Sequence, residues 1–296
     1  FSSRRRHTRF RNVTGVQTCA LPIFIVGAVL FGFIIVMIMN HKTSAEKMLN
    51  QEIVSQLTAS FRGKQQLSNT YSEIDMQKTT LTFDCDIDTG HFNFKISDSQ
   101  REELPLEIMF TPKNVDTGTL LLWTQDFKIP FIVTRFTYIT TKDTALIFYD
   151  PINNNNQNAN SQLRKVFDDL PSNFTKFYLS DAMSVTTKKS MFKKYKIITT
   201  GLNGCTSAGV YPCITITPDA NKDIYDLGTV KFYKSASDSG SDVNKRNYIS
   251  SSSLFGAIFS DDAKYYECQM QRAFKQFEIK RNLYTIRTSM LSNDIS

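Results

Sequence analysis

The sequence predicts a mixed α/β domain carried on an N-terminal transmembrane helix and closed by a long C-terminal helix. Three observations predict it. Residues 24–39 form an unbroken apolar run, the hydrophobic period shortens from four residues to two at Thr79, and strand-like and helix-like segments alternate from Ala145 to Thr199. With 296 residues, 41% hydrophobic and 21% charged, the chain can bury a sizeable core, which excludes a disordered chain, a collagen or a disulfide-dense miniprotein. Three histidines leave little room for histidine-based or metal-dependent chemistry, and no cofactor is expected.

The chain opens on Phe1, and residues 1–23 read FSSRRRHTRFRNVTGVQTCALPI. The runs SRRRHTR and VTGVQTCALPI closely resemble translated sequencing-adapter DNA, so this stretch is expected to be an artefact outside the fold. The alternative is a genuine basic leader. Setting it aside removes Arg4, Arg5, Arg6, Arg9 and Arg11 and no acid, which lowers the formal charge from +7 by five to +2. A nucleic-acid partner is then not expected.

Residues 24–40 are assigned to the span. The sixteen residues Phe24–Met39 carry no charge and no polar face, which a soluble core helix would show, and they cover about 24 Å as a helix. The lipid bilayer is their expected partner. Residues 41–70 read as a helical stalk, with Leu49, Ile53, Leu57 and Phe61 every four residues. That stripe suits packing on the chain's own domain, or pairing with a second copy.

Residues 71–260 form the expected domain. Leu81, Phe83 and Cys85, then Phe92, Phe94 and Ile96, alternate with polar residues about Asp88-Thr89-Gly90, a β-hairpin pattern. A strand is expected at Leu106–Phe110, a segment at Leu120–Phe127 capped by Asp116-Thr117-Gly118, and a strand at Phe131–Thr140. Ala145–Tyr149, Phe174–Leu179 and Tyr195–Thr199 read as buried strands. Helical patterns at Ser161–Leu170 and Ala182–Phe192 separate them, an order that argues for parallel pairing and a Rossmann-like three-layer core. Ile214–Thr217 and Val230–Tyr233 are further strands, and Ser235–Ser253 reads as an exposed loop. Residues 261–296 are the C-terminal helix, with Ser260 as its expected N-cap, packed on the domain or extending from it.

The chemical signals are sparse. The two Asp-Thr-Gly triplets copy the aspartic-protease motif, yet they lie 28 residues apart and are better explained as a turn and a cap. Asp84, Asp86 and Asp88 resemble the start of a calcium loop, but Thr89 and Lys95 stand where Gly and Glu are needed. Cys205 and Cys213 bracket a short loop that a disulfide can close, and Cys85 and Cys268 can form a second bridge, although four cysteines allow three pairings. Trp123, Phe127 and Phe131 stand beside Pro130 and are candidates for a pocket, or simply for a core. The sequon Asn173-Phe174-Thr175 and the cysteines suit an oxidising exterior. No dinucleotide fingerprint, Walker loop, nucleophile elbow or zinc-protease helix is present.

The segments LLLWTQDFKIPFIVTRFTYIT (120–140) and LFGAIFSDDAKYYECQMQRAF (254–274) resemble those of an uncharacterised group of archaeal single-pass membrane proteins. The resemblance implies a single span and a meaningful Cys268, and it carries no activity. The expected function is a membrane-anchored, extracytoplasmic binding or assembly module. Its protein partner, or a second copy, would dock on the stalk or the C-terminal helix. The alternative is a membrane-tethered hydrolase or transferase with its site at the strand carboxyl ends, near Asp150 and Asp181.

Overall fold

The computed structural model describes residues 17–64, 67–97, 101–150, 157–200, 205, 211–235 and 242–295. Residues 1–16 of the adapter-like stretch, the asparagine loop 153–156, residues 206–210 of the Cys205–Cys213 loop and residues 236–241 lie outside them. Two compact units divide the chain between Glu52 and Ile53.

Helix α1 runs Gln17–Lys64. Within the first unit its apolar residues from Ile25 to Met39 are exposed. By length and composition Ile25–Lys64 is apolar enough to cross a membrane, with a mean hydropathy of 1.9 in its most apolar window. The last turns of α1 belong to the second unit. There Leu57 and Phe61 are buried, Ile53 and Val54 are partly covered, and Phe61 meets Phe94 edge-on at 5.7 Å. From Ile53 onward the stripe with a four-residue period therefore serves packing on the chain's own domain.

The expected α/β character holds, but the strands divide between two mixed six-stranded sheets. The first contains β1 (Tyr71–Cys85), β2 (Phe92–Ile96), β3 (Glu102–Glu103), β4 (Ile108–Phe110), β5 (Asn114–Lys128) and β6 (Ile132–Thr141), in the order β3-β2-β1-β5-β6-β4. Only β4 and β6 pair in parallel. The expected hairpin forms, with Leu81 opposite Ile96 and Cys85 opposite Phe92. Its turn is built by the Asp86 carboxylate, which accepts from the Asp88 amide at 3.0 Å and the Thr89 hydroxyl at 2.8 Å, and by Gly90 at φ +73°. The second triplet behaves differently. Asp116-Thr117-Gly118 caps nothing and runs inside β5, where Asp116 faces Thr80 and Thr117 faces Thr79 across the ladder. Gly118 lies opposite an irregularity between Asp75 and Thr79 of β1, so long-range pairing has overridden the local turn preference.

The second sheet contains β7 (Thr144–Tyr149), β8 (Lys176–Leu179), β9 (Lys194–Thr200), β10 (Cys213–Pro218), β11 (Gly228–Tyr233) and β12 (Lys245–Tyr248), in the order β12-β11-β10-β9-β7-β8. The four strands β8-β7-β9-β10 are parallel, as the alternating pattern predicts, and β11 and β12 are antiparallel. Helix α2 (Gln157–Asp169) buries Leu163 and Val166 with Leu146 and Phe148 on one face. Helix α3 (Ala182–Met191) buries Val185 with Ala145 and Ile147 on the other.

The stretch expected as a loop up to Ser253 instead contains β12 and the start of helix α4 (Ser251–Phe259). Ser252 to Phe259 are all buried, which hides the helix from any reading based on one apolar face. Ser260 closes α4, donating its amide to Gly256 O at 3.1 Å, and does not cap the next helix. Helix α5 (Ala263–Ile295) begins instead under Asp262, whose Oδ1 accepts from Tyr265 N at 2.8 Å.

Helix α4 lies in the core between the sheets. Phe255 meets Trp123 of the first sheet at 4.9 Å, and Ala257 O accepts from Lys196 of the second at 3.1 Å. The amino-terminal half of α5 joins that core through Tyr266, Met270 and Ala273. Cys268 is bonded to Cys85, tying α5 to β1 across 183 residues, and Cys205 is bonded to Cys213.

A Cβ added at Gly256 would lie 2.8 Å from the buried Phe110 ring. Gly256→Ala should therefore destabilise the domain by about 1–3 kcal/mol despite its gain in helix propensity. Denaturant unfolding of wild type and variant measures it, and an unchanged or raised midpoint would show that Phe110 yields freely.

Candidate functional site

The aromatic candidates resolve into core. Trp123 packs on Tyr138 and Phe255, with ring centroids at 5.0 and 4.9 Å, and Phe127 stacks on Phe136 at 4.5 Å. Phe131 is half-buried and holds α5 through Phe277 and Tyr284 at 5.6 and 5.1 Å. Trp123 lines a wide surface depression shared with Asn69, Gln125, Asp169, Tyr225, Ser251 and Phe255.

The two carboxylates do follow the carboxyl ends of β7 and β8. Asp150 is almost fully buried, and its Oδ2 accepts from the Tyr178 hydroxyl at 2.7 Å. Burial pushes its carboxyl above the usual range, and the Tyr178 bond opposes that rise. Asp181 is the exposed N-cap of α3, accepting from Ser184 N at 2.7 Å, and its hydrogen bonds with Ser184 hold its carboxyl below the usual range. Neither carboxylate lines the deeper cleft.

That cleft, of about 350 Å³, opens at the opposite, amino-terminal ends of the parallel strands. Its walls come from Thr144 and Leu146 at the start of β7, Lys194, Tyr195 and Lys196 at the start of β9, and Pro212 just before β10. Asn114 and Thr140 contribute from the first sheet, and Ile258, Phe259 and Asp261 from the end of α4. Lys193 and Lys194 stand at this rim, and Lys194 Nζ reaches Asn114 O at 3.4 Å.

Lys196 is the unusual group. It is buried, its register partner on β7 is Leu146, and its ammonium donates to Ala257 O and Ser260 O while lying over the Phe232 ring. It thus supplies a positive charge to the carbonyl end of α4, where unpaired acceptors and the negative end of the helix dipole both call for one. Burial lowers its pKa to about 8, while the nearby Asp261 and Asp262 resist the fall. Asp261 is itself engaged, since its Oδ2 accepts from Lys113 N at 2.7 Å.

The sequence reading passed over this site. Its signal is legible in retrospect: Lys188, Lys189, Lys193, Lys194 and Lys196 crowd nine residues, and Lys196 directly precedes the apolar pair Ile197-Ile198. Lys188 and Lys189 lie over the rings of Phe177 and Tyr195 at 4.5 and 5.4 Å. Among the described residues no group of three His, Cys, Asp or Glu is placed to hold a metal, and Asp86 is occupied by its own turn. Comparison of the chain with protein-family models, with curated proteins and with solved structures finds no match in any of the three.

Lysine in the unfolded chain titrates near 10.5, so between pH 8 and 10.5 the unfolded chain binds more protons at this position than the fold does. Raising the pH through that window should stabilise the wild type by up to about 3 kcal/mol from this group. Lys196→Met should lack that rise. Chemical denaturation of both proteins at the two ends of the window provides the check, and parallel pH profiles would exclude it.

Proposed function

We propose that the chain is a membrane-anchored binding or assembly module that works outside the cytoplasm, with α1 as its anchor. The observation that carries the reading is the far half of α5. Ile279, Leu283, Ile286 and Met290 recur at intervals of four, three and four residues, and all are exposed. A contiguous apolar stripe on a water-facing helix is costly unless something covers it, and this spacing suits a second helix. The apolar helix Ile25–Lys64 supports the membrane location, and the two disulfides support an oxidising compartment. Asn173, the acceptor of the sequon, is exposed.

The second reading is a tethered hydrolase or transferase. The parallel order β8-β7-β9-β10, with α2 and α3 on opposite faces, supports a Rossmann-like three-layer core, whose ligands sit at the strand carboxyl ends. Asp150 and Asp181 stand at those ends with separate local partners. Binding is therefore preferred to catalysis.

The full chain should pellet with membranes and resist alkaline carbonate, and a cysteine placed at the exposed Met183 (Met183→Cys) should react with an impermeant thiol reagent in intact cells. Recovery in the soluble fraction, or a cysteine at position 183 that reacts only after the cells are permeabilised, rejects the reading. Leu283→Glu combined with Ile286→Glu should abolish association of the detergent-solubilised chain, read by light scattering, while leaving its unfolding transition in place. A wild type that stays monomeric at all concentrations rejects self-assembly through this helix.

A further inference from the structure

We propose that the lysine-rimmed cleft at the amino ends of β7, β9 and β10 binds a small organic anion, a carboxylate or phosphate group carried on an apolar body. This rests on the binding-module reading and names the class of ligand that the module takes.

Shape and chemistry both point there. A volume of about 350 Å³ lies within the range of small-molecule sites, roughly 300–1,000 Å³. Leu146, Tyr195, Pro212, Ile258 and Phe259 give the cleft mostly apolar walls, which favour an apolar body. Three lysines set the sign of its charge. Lys193 and Lys194 stand at the rim, where an anionic head keeps some water while its body enters. Lys196 brings a buried ammonium to the same lining; it has three donors, two of which are bonded to carbonyl oxygens. Among the described lining residues Asp261 is the one carboxylate, so three ammonium groups face a single negative charge. A cationic ligand would meet repulsion from this net positive charge, and a neutral one would gain nothing from it.

A bound anion should also ease protonation of Lys196, whose pKa burial holds near 8. Binding above pH 8 should then take up protons, which an incidental ion at the two rim lysines would not do.

The full chain in phosphatidylcholine nanodiscs is titrated by calorimetry with naphthoate and naphthyl phosphate, against naphthylmethanol, inorganic phosphate and empty nanodiscs. Either aromatic anion should bind at least about tenfold more tightly than the alcohol or inorganic phosphate, and the tighter of the two identifies the head group. Lys193→Gln with Lys194→Gln should weaken it about tenfold, whereas Lys188→Gln, which lies over Phe177 outside the lining, should leave it unchanged. Heats measured at pH 8.5 in buffers of different ionisation enthalpy should report proton uptake. Naphthoate and naphthyl phosphate bound no better than to empty nanodiscs, equal affinity for the alcohol, or indifference to the rim variants overturns the proposal. If that happens while membrane pelleting and α5-dependent association persist, the module reading stands and only the ligand class is lost.

Discussion

The domain depends on burying one helix from its second residue to its last. Helix α4 has no solvent face, so both its ends must be satisfied from inside the protein. At its start Ser250 and Ser253 form a reciprocal capping box. On its flank Ser252 donates to Asp126 O at 2.9 Å, and its own carbonyl accepts from the Tyr138 hydroxyl at 2.8 Å. At its end Lys196 reaches across from the second sheet to two carbonyls. The two sheets are thus held apart by a helix and joined by polar contacts to its backbone. The cleft is where that filling stops, with Ile258 and Phe259 forming its edge.

Helix α5 finishes the arrangement. Its first half is bound to the first sheet by buried polar contacts as well as by the Cys85 bridge. Arg272 donates to Leu104 O at 2.6 Å and to Pro105 O at 3.0 Å, and lies over Phe92 at 5.0 Å. Gln269 accepts from Met109 N at 3.2 Å. These bonds satisfy backbone groups near the edge strands β3 and β4 that would otherwise be buried without partners. From Thr285 to Leu291 its side chains are exposed. One element therefore closes the fold at one end and offers an apolar surface at the other.

What binds here and what holds the fold together are not separable at Lys196. A buried lysine is costly, and its carbonyl partners explain why it is tolerated. The same placement brings a positive charge to a mostly apolar opening. The carboxyl ends of the strands, where analogy with nucleotide-binding sheets would look first, carry an N-cap and a tyrosine-bonded aspartate.

Local pattern by itself determined much of this protein. The apolar run, the hairpin about Asp88-Thr89-Gly90 and the alternation that yields four parallel strands all follow from side-chain period and turn chemistry, which act over a few residues. The cysteine partners were open among three pairings until the fold brought Cys85 to Cys268 and Cys205 to Cys213. Only tertiary structure could decide the rest. Asp116-Thr117-Gly118 became strand because β1 lay beside it, and Ser251–Phe259 became a helix because apolar surfaces enclosed it on every side, erasing the periodic signal. The cleft is assembled from β5, β6, β7, β9 and α4, segments far apart in the chain, so no spacing in the sequence announces it.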